Sequence, residues 1–416
     1  MSLLYRSFPG KKVFFYMSDS SNRRFGVLAL LLAALASMGP FSIDTFLPAM
    51  HEMGAALGAS PIEMQQTLSV YLFCYAVMML WHGAISDSVG RRAVILVSTL
   101  VFAVASVGCA LAPNLGTLLL FRGMQGLCGG AGLVVGRAII RDTFHGHDAQ
   151  RMMSQVTMLF SLSPAIAPLI GGMLFGALGW RSIFVFLALL GVVIFAVCWR
   201  AMPETHPVAA RTPFAWRQLL ANYLEVGRKR EFQLLALAVS CNFAGFFVYI
   251  PSAPVFVMQH LGLGHNDFLW MFGPIVSGIM FGAFLSGKLA GRRDTRTIVN
   301  IGYVLMFAAT AANLLQAFLM TPSVPWAVLP LALYTTGMSM SAPSMTLTLM
   351  DQFPHLRGTV SSVQGFVQTM FSTLLAGVIS PLVWGSVQSL ALTMLVFLVA
   401  GFVLRSAYRR RIRRPV

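Results

Sequence analysis

The chain has 416 residues, of which 57% are hydrophobic and 10% are charged, and its mean hydropathy is +0.76. A soluble protein carries roughly 25% charged residues, so this composition excludes an ordinary soluble globular protein. The net charge of +16 would suit nucleic-acid binding, but the positions of the basic residues, given below, argue against that use.

Apolar stretches of about 20 residues, each long enough to cross a hydrocarbon core of ~30 Å, recur along the whole chain. Alternation of the strand type is absent, so we predict an all-α polytopic membrane protein and not a β-barrel. We predict twelve spans in two sets of six. The first six cover 25–48, 63–85, 93–112, 115–139, 153–177 and 181–201. The second six cover 232–257, 268–290, 297–319, 326–350, 358–382 and 386–405.

These spans divide the chain into five regions. Residues 1–24 form a basic N-terminal segment, which lacks the short apolar core and the cleavage site of a signal peptide. Two six-helix bundles, 25–201 and 232–405, flank a polar central loop, 202–231. Residues 406–416 form a basic tail.

The basic residues predict the orientation of the chain. Nearly all of the 29 Lys and Arg residues fall in the two terminal segments, the central loop and the loops on the same side. Arg181 falls on the opposite side, and Arg122 falls inside span 4. Because cytoplasmic loops carry excess positive charge, we expect both termini and the central loop in the cytoplasm. The basic residues then set topology and contact anionic lipid heads, not nucleic acid.

Motifs for cofactors and catalysis are missing from the sequence. The five cysteines lie in apolar stretches without CxxC or metal-ligand spacing, so we expect neither disulfides nor a metal site. Phosphate-binding loops and enzymatic motifs are absent, so we predict no cofactor, no ATP coupling and no catalysis.

Span 1 carries Asp44, one of two ionisable side chains placed well inside the apolar stretches. Such a residue costs about 3 kcal/mol or more on insertion scales, and it tends to face a bundle interior or a cavity. Pro40 and Pro48 flank Asp44, which predicts a broken helix with free backbone groups, as at transporter binding sites. The alternative is an Asp that caps a helix or lies at the lipid interface.

The loop between spans 2 and 3 reads Gly-Ala-Ile-Ser-Asp-Ser-Val-Gly-Arg-Arg, from Gly83 to Arg92. Gly90 can supply a positive φ in a tight turn, and Gly83 allows close helix approach. Asp87 is the single acid of this loop, and it can interact with Arg91 or with a helix dipole. On physical grounds alone, a basic turn with an incidental acid is an equal alternative.

This loop resembles the G-x-L-A-D-x-x-G-R-R/K signature of the major facilitator superfamily, and a degraded copy follows span 8, where Gly291 replaces the acid. The resemblance implies the major facilitator fold, twelve helices in two six-helix bundles related by pseudo-two-fold symmetry. It also implies a cytoplasmic latch, formed by Gly83, Asp87, Gly90 and Arg91, which holds the outward-open state and releases during transport.

Span 4 carries the second embedded charge, Arg122, within an Arg-x-x-Gln-Gly pattern that the same superfamily uses. Arg122 and Gln125 are three residues apart and share a helix face. Span 4 starts near Leu115 on the outer side, which puts Arg122 about 10 Å deep, similar to Asp44. We predict that Asp44 and Arg122 form a proton-coupling pair and that Gln125 contributes to substrate binding. Snorkelling of Arg122 toward the periplasm is the alternative.

Span 5 contains Ser-Pro-Ala-Ile-Ala-Pro-Leu-Ile-Gly-Gly, from Ser163 to Gly172. Small residues at four-residue spacing permit close helix packing, and a proline bends a helix. The run resembles the antiporter signature G-x-x-x-G-P-x-x-G-G, which implies a role in antiport for Pro164, Pro168, Gly171 and Gly172. Packing alone is the alternative.

The second half lacks an embedded charge comparable to Asp44. Span 7 instead offers Asn242, Phe246 and Tyr249, which we put forward as residues of a substrate cavity. For each of these residues, packing or lipid contact is the alternative.

The segment around Asp44 resembles span 1 of the Bcr/CflA group, the bicyclomycin-resistance drug:proton antiporters. That resemblance implies a multidrug exporter of a bacterial inner membrane, which works by rocker-switch alternating access around a mid-membrane cavity. Its expected partners are a small-molecule drug or metabolite, protons and membrane lipids, and we expect a monomer. Some relatives carry a second acid two turns earlier, where this chain has Ala36. The alternatives are a proton-coupled transporter of a small metabolite, such as an amino-acid-like compound, and a membrane receptor that does not transport.

Overall fold

A computed structural model describes residues 20–412 of the chain. Within this range the regular structure is helical and contains no strand. Ten of its helical segments are long and apolar enough to cross a membrane, judged by length and composition. The basic residues Arg6, Lys11 and Lys12, which contribute to the predicted orientation, lie outside the described residues, as do residues 413–416.

Nine helices build the first six spans, because spans 1, 4 and 5 are each broken once. Their bounds are α1 (Ser20–Asp44), α2 (Met50–Leu57), α3 (Pro61–Val89), α4 (Arg91–Ala110), α5 (Leu115–Gly129), α6 (Ala131–Thr143), α7 (Gly146–Ser161), α8 (Ser163–Leu178) and α9 (Arg181–Ala201). A 3₁₀ turn, Leu47–Ala49, joins α1 to α2. The break in span 4 falls at Gly130, and the break in span 5 falls at Leu162.

The region predicted as a polar central loop contains a helix, α10 (Trp216–Arg228). This helix is strongly amphipathic, so its apolar face needs a partner. The Tyr223 hydroxyl donates a hydrogen bond to the carbonyl of Leu80 in α3, and the Phe214 ring lies 6.0 Å from that of Trp81. Helix α10 also packs on two helices of the second half, Arg230–Phe247 and Arg357–Leu374, so the central connection contacts both bundles.

Eight further helices build the second six spans. Their bounds are α11 (Arg230–Phe247), α12 (Ala253–Val255), α13 (Leu269–Leu289), α14 (Thr295–Leu319), α15 (Leu329–Asp351), α16 (Arg357–Leu374), α17 (Ser380–Val383) and α18 (Val387–Ile412). Two π-helical turns, Phe256–His260 and Leu375–Ile379, interrupt spans 7 and 11. The predicted spans 232–257 and 326–350 are not among the ten apolar segments. Regular helix in the first ends at Phe247, and the second is rich in Ser and Thr.

The last helix does not end at residue 405 as the sequence predicts but continues to Ile412. Two side-chain contacts hold its end against the second bundle. Arg411 forms an ion pair with Glu231 at 2.5 Å, and Gln352 Nε2 donates to the Tyr408 hydroxyl at 2.5 Å. Part of the predicted basic tail is therefore helical.

The order of helix packing is repeated in the two halves. Helix α5 packs between α3 and α4 in the first bundle, and α15 packs between α13 and α14 in the second. Across the interface, α3 packs on α16, while α8 packs on α13. These pairs join span 2 to span 11 and span 5 to span 8, as a pseudo-two-fold axis between the halves requires. The predicted six-plus-six fold is confirmed.

Two hydrogen bonds join the bundles at the end of α3 away from Asp87, and a third, from Thr369 Oγ1 to Met79 Sδ, joins them further along this helix. Gln65 Nε2 donates to the carbonyl of Pro251 at 3.2 Å, and Gln66 Nε2 donates to the carbonyl of Gly377 at 3.2 Å. We call the side of the molecule that carries α2 the α2 face and the opposite side the Asp87 face. The bundles are thus closed on one another at the α2 face.

Candidate functional site

Asp44 is the last residue of α1, at the point where span 1 breaks. The chain turns through Thr45 and Phe46 and continues as the 3₁₀ turn that contains Pro48. Thr45 closes the helix end, because its backbone N–H and its hydroxyl both donate to the carbonyl of Phe41, at 3.2 and 2.5 Å. The break predicted from the flanking prolines is present.

The Asp44 side chain is buried, with 3% of its surface exposed. Its Oδ1 atom is also buried and has no hydrogen-bond partner. An unpaired carboxylate in such a position loses its hydration without compensation, so the enclosure favours an uncharged carboxylic acid. Burial excludes the alternative in which Asp44 lies exposed at a lipid interface.

Arg122 lies in the core of the first bundle and is fully buried. Its Nη1 atom donates to the Ser42 carbonyl at 3.0 Å, to the Ser42 hydroxyl at 2.9 Å and to Gln125 Oε1 at 2.8 Å. Its Nε atom donates to the carbonyl of Thr67 at 3.3 Å. A guanidinium held in this way does not snorkel to a membrane surface, so that alternative is excluded.

Two aromatic rings complete the surroundings of Arg122. The guanidinium carbon lies 4.5 Å from the centre of the Phe46 ring and 4.6 Å from that of Tyr71, within the range of cation–π attraction. The Nη2 atom is buried and has no hydrogen-bond partner. Arg122 thus keeps one donor free for a group that enters the bundle.

Gln125 is directed toward protein groups instead of a cavity. Its Oε1 atom accepts from Arg122, and its Nε2 atom donates to the Ser106 hydroxyl at 2.7 Å. The side chain is fully buried. In this conformation Gln125 therefore positions Arg122, and the predicted contact with substrate remains a prediction.

Asp44 and Arg122 lie in the same bundle but do not form an ion pair in the described part of the chain. The reason is the helix period. Arg122 bonds to Ser42, and Asp44 follows two residues later, a rotation of roughly 200° around the axis of α1. The two side chains are therefore not in direct contact in this state, and the predicted proton-coupling pair remains a prediction.

The loop between α3 and α4 forms an ion network around Arg91. Arg91 pairs with Asp87, and its Nε atom bonds to Asp142 Oδ2 of α6 at 3.0 Å. Arg91 also donates to the Ser86 hydroxyl at 2.7 Å and is buried, whereas 47% of the Asp87 side chain is exposed. Asp87 and Arg91, two of the residues predicted to form a latch, therefore contact each other, and their network lies within one bundle.

Gly90 joins α3 to α4 with a φ of 105°, a conformation that favours glycine. The backbone N–H groups of Arg91 and Arg92, which open α4, donate to the Glu204 carboxylate at 2.9 and 3.3 Å. A Cβ atom on Gly90 would collide with that carboxylate. Gly83 differs from the prediction, because a Cβ atom there would meet only Val134, at 3.8 Å, so no close approach depends on it.

Span 5 packs tightly on two sides through its small residues. A Cβ atom on Gly171 would overlap the Thr45 carbonyl beside Asp44, and one on Gly172 would overlap the His265 carbonyl in the second half. Pro164 opens α8, and Pro168 lies buried inside it. The antiporter run therefore contacts both the Asp44 break and the opposite bundle.

The three candidates from span 7 have different surroundings. Asn242 lines a small cavity of about 50 Å³ with Met338 and Gln368, and its Oδ1 atom is buried without a partner. Phe246 packs against other rings, and the Tyr249 hydroxyl accepts from Asn313 at 2.7 Å. Asn242 thus reaches a cavity, whereas Phe246 and Tyr249 are packed in the core.

Several residues of these sites gave no signal in the sequence. Ser42 and Tyr71, which surround Arg122, are ordinary residues for apolar spans. The same holds for Ser37, whose hydroxyl accepts from that of Ser163 at 2.6 Å and joins α1 to α8. Asp142 could have been predicted, because it is an acid at the end of span 4, near the loop that carries Arg91.

Comparison with known proteins agrees with this architecture. Residues 27–381 match the Major Facilitator Superfamily. Multidrug resistance protein D of Escherichia coli is 31% identical over 379 residues, which cover 88% of this chain and 92% of that protein. The bicyclomycin resistance protein homolog of Haemophilus influenzae is 25% identical over 368 residues, with coverage of 88% and 92%.

A solved structure supports the fold independently. The inward-open xylose transporter XylE from E. coli superposes with a TM-score of 0.73 over 92% of this chain and 96% of that one, at 13% identity. At that identity the likeness concerns the fold alone. The sequence match over residues 27–381 and the twelve-span architecture agree, and the chain belongs to the Major Facilitator Superfamily, with the predicted kinship to drug-resistance transporters confirmed.

Proposed function

We propose that this chain exports small amphipathic drugs across a bacterial inner membrane in exchange for protons. The observation that carries the proposal is Asp44, a buried carboxyl with an unpartnered oxygen at a helix break. The relatives named for multidrug and bicyclomycin resistance support a drug as the exported molecule.

The proposed cycle uses Asp44 as the proton carrier. A protonated Asp44 suits the enclosed site of the present state, whereas a charged Asp44 needs water or a cationic partner. In one state the bundles are separated at the α2 face. In the other state they are separated at the Asp87 face and closed at the α2 face. Asp44 therefore has different surroundings in the two states. Exchange follows if the drug and the proton favour opposite openings.

Arg122 and the span 5 glycines have supporting roles in this proposal. Arg122 fixes the backbone of α1 through Ser42, two residues before Asp44, and its free Nη2 donor is available to an entering polar group. Gly171 lets α8 pack directly on the carbonyl of Thr45. A change at Asp44 can therefore reach α8, which contacts the second bundle.

The proposed orientation has both termini in the cytoplasm, with the bundles 25–201 and 232–405 joined by the cytoplasmic segment 202–231. It places the Asp87 face inside and the α2 face toward the periplasm. The basic loops of the Asp87 face support this orientation. We further infer that the chain works as a monomer, since both halves of the transporter are present in it.

The direct test uses everted membrane vesicles that carry an acidic lumen. Addition of an exported drug makes the lumen more alkaline if drug entry is exchanged for proton exit. Asp44→Asn should abolish this response while the protein still inserts in normal amounts. Glu52→Gln, which changes an exposed acid of α2, is the matched control and should respond as wild type.

A wild-type response from Asp44→Asn would refute the proton-carrier role. Further acidification of the lumen on substrate addition would indicate symport and contradict the proposed direction. Repeating the measurement with bicyclomycin, chloramphenicol and an amino-acid-like metabolite separates a drug exporter from a metabolite transporter.

A further inference from the structure

A second cavity, of about 480 Å³, lies between the two bundles at the α2 face. The first bundle contributes α2 and the start of α3. The second bundle contributes Trp384 and the segment that follows Tyr249. Its volume falls within the range of small-molecule sites, about 300–1,000 Å³. None of Asp44, Arg122 and Asn242 lines it, so it is separate from the sites described above.

The lining of this cavity is apolar and rich in sulfur. Met50, Met64 and Met258 contribute thioethers, and Trp384 contributes an indole. Met64 is buried, whereas His51 and Gln259 are exposed and supply the polar side chains. No Asp, Glu, Lys or Arg is among the lining residues that the structure describes. Thioethers attract aromatic rings, so this lining suits a neutral aromatic molecule with one or two hydrogen-bond acceptors.

The backbone beside the cavity is irregular in a specific way. Met258 and Gln259 belong to the π-helical turn Phe256–His260, and π-helical turns occur frequently at functional sites. The last residue of this turn, His260, is bonded through Nε2 to the carbonyl of Trp384 at 2.7 Å. This bond ties the π-helical turn to the backbone of Trp384, and both belong to one wall of the cavity.

The cavity exists only while its two walls stand together. Next to it, Gln65 of the first bundle donates to the carbonyl of Pro251, which itself lines the cavity. Separation of the bundles at the α2 face would break this bond and pull the two walls apart. A molecule that fills the cavity therefore binds the closed state better than the open one and shifts the equilibrium toward it.

We propose that the cavity at the α2 face binds a neutral aromatic molecule, which holds the two bundles closed there and slows transport. The binding step rests on the cavity alone, and only the effect on transport rests on the function proposed above. Under the proposed orientation, the ligand enters from the periplasm. Because the bound ligand holds the bundles closed, the cavity is an inhibitor site, distinct from the site of the exported drug.

Benzophenone is a suitable probe, because it is neutral and aromatic, carries a carbonyl acceptor and inserts into methionine C–H bonds on illumination. The purified full-length protein is illuminated in lipid nanodiscs and digested, and adducts are mapped by mass spectrometry. We expect saturable labelling at Met50, Met64 and Met258. Labelling at Met173 and Met280, which are exposed on helix surfaces, should rise linearly with probe concentration.

Two variants test whether the cavity is responsible. Ala55→Trp introduces an indole at a lining position and should reduce the saturable labelling several-fold. Ala177→Trp introduces the same group at an exposed position near the end of α8, outside the lining, and should leave the labelling unchanged. Asp44→Asn should also label as wild type, so a failed antiport proposal would not affect this result.

Labelling that rises linearly with probe concentration at every methionine would overturn the binding proposal. Equal saturable labelling in the two Trp variants would also overturn it. The effect on transport is tested by adding benzophenone to vesicles before the drug. We expect slower transport that Ala55→Trp restores. Equal inhibition of the wild type and Ala55→Trp would refute the proposed closure.

Discussion

Gly172 offers a direct test of how the two bundles meet. A Cβ atom at this position would overlap the carbonyl of His265, a backbone group that cannot rotate away as a flexible side chain can. Overpacking of this kind costs about 1–3 kcal/mol. The contact joins the two halves, so Gly172→Ala should place that cost on the state closed at the α2 face.

The magnitude follows from the two-state equilibrium. A penalty of about 1–3 kcal/mol on one state changes the ratio of the two states by about 5–150-fold. Gly132→Ala is the matched control, because its added methyl group would overlap the carbonyl of Leu35 within the same bundle. That variant should lower thermal stability without favouring either state.

The assay is a distance measurement between spin labels on the two bundles at the α2 face. Ala56→Cys and Ser323→Cys are suitable sites in a background without native cysteines, since both residues are exposed. Gly172→Ala should shift the distances toward longer values, and Gly132→Ala should not. An unchanged distribution in Gly172→Ala, or an equal shift in both variants, would refute the reasoning.

Three further variants test other contacts. Arg122→Lys keeps the charge but removes Nη1, which donates both hydrogen bonds to Ser42. Transport in vesicles should therefore fall about tenfold or more while insertion stays normal. Wild-type transport would contradict the need for a guanidinium. Tyr223→Phe removes the bond to Leu80 and should cost about 1 kcal/mol in thermal stability. Burial raises the pKa of Tyr223 to about 12 from 10.0, so stability should fall above about pH 10 in the wild type as the unfolded chain ionises first. That decline in stability should be smaller in Tyr223→Phe. An equal decline in both proteins would contradict the contribution of Tyr223 ionisation. Glu204→Gln weakens the cap on α4 and should cost about 1 kcal/mol in thermal unfolding, which an unchanged melting temperature would refute.

The sequence was sufficient for the architecture because membrane spans leave strong signals. Apolar length predicted the spans, and the prolines around Asp44 predicted the break in span 1. Helix α10 escaped prediction, because a short amphipathic helix among charged residues resembles a polar loop until its partners α3, α11 and α16 are known.

The candidate site was predictable in its charged members and not in its geometry. Asp44 and Arg122 stand out because charge is rare inside a span, but equal depth says nothing about the direction in which each side chain points. The helical rotation along α1 places Ser42, and not Asp44, within hydrogen-bonding distance of Arg122. Gln65 and Gln66 gave no signal, because their partners are backbone carbonyls of the other bundle.

The termination of α1 at Asp44 has a mechanical consequence. The regular helical hydrogen-bond ladder of α1 stops there, so α1 and α2 are separate rigid pieces joined by a short connection. Large backbone rotations are easiest in such connections. Span 1 can therefore work as a lever with its pivot beside the carboxyl. A change of charge at the pivot can tilt the short arm, α2, while the long arm stays anchored through Ser42 to Arg122.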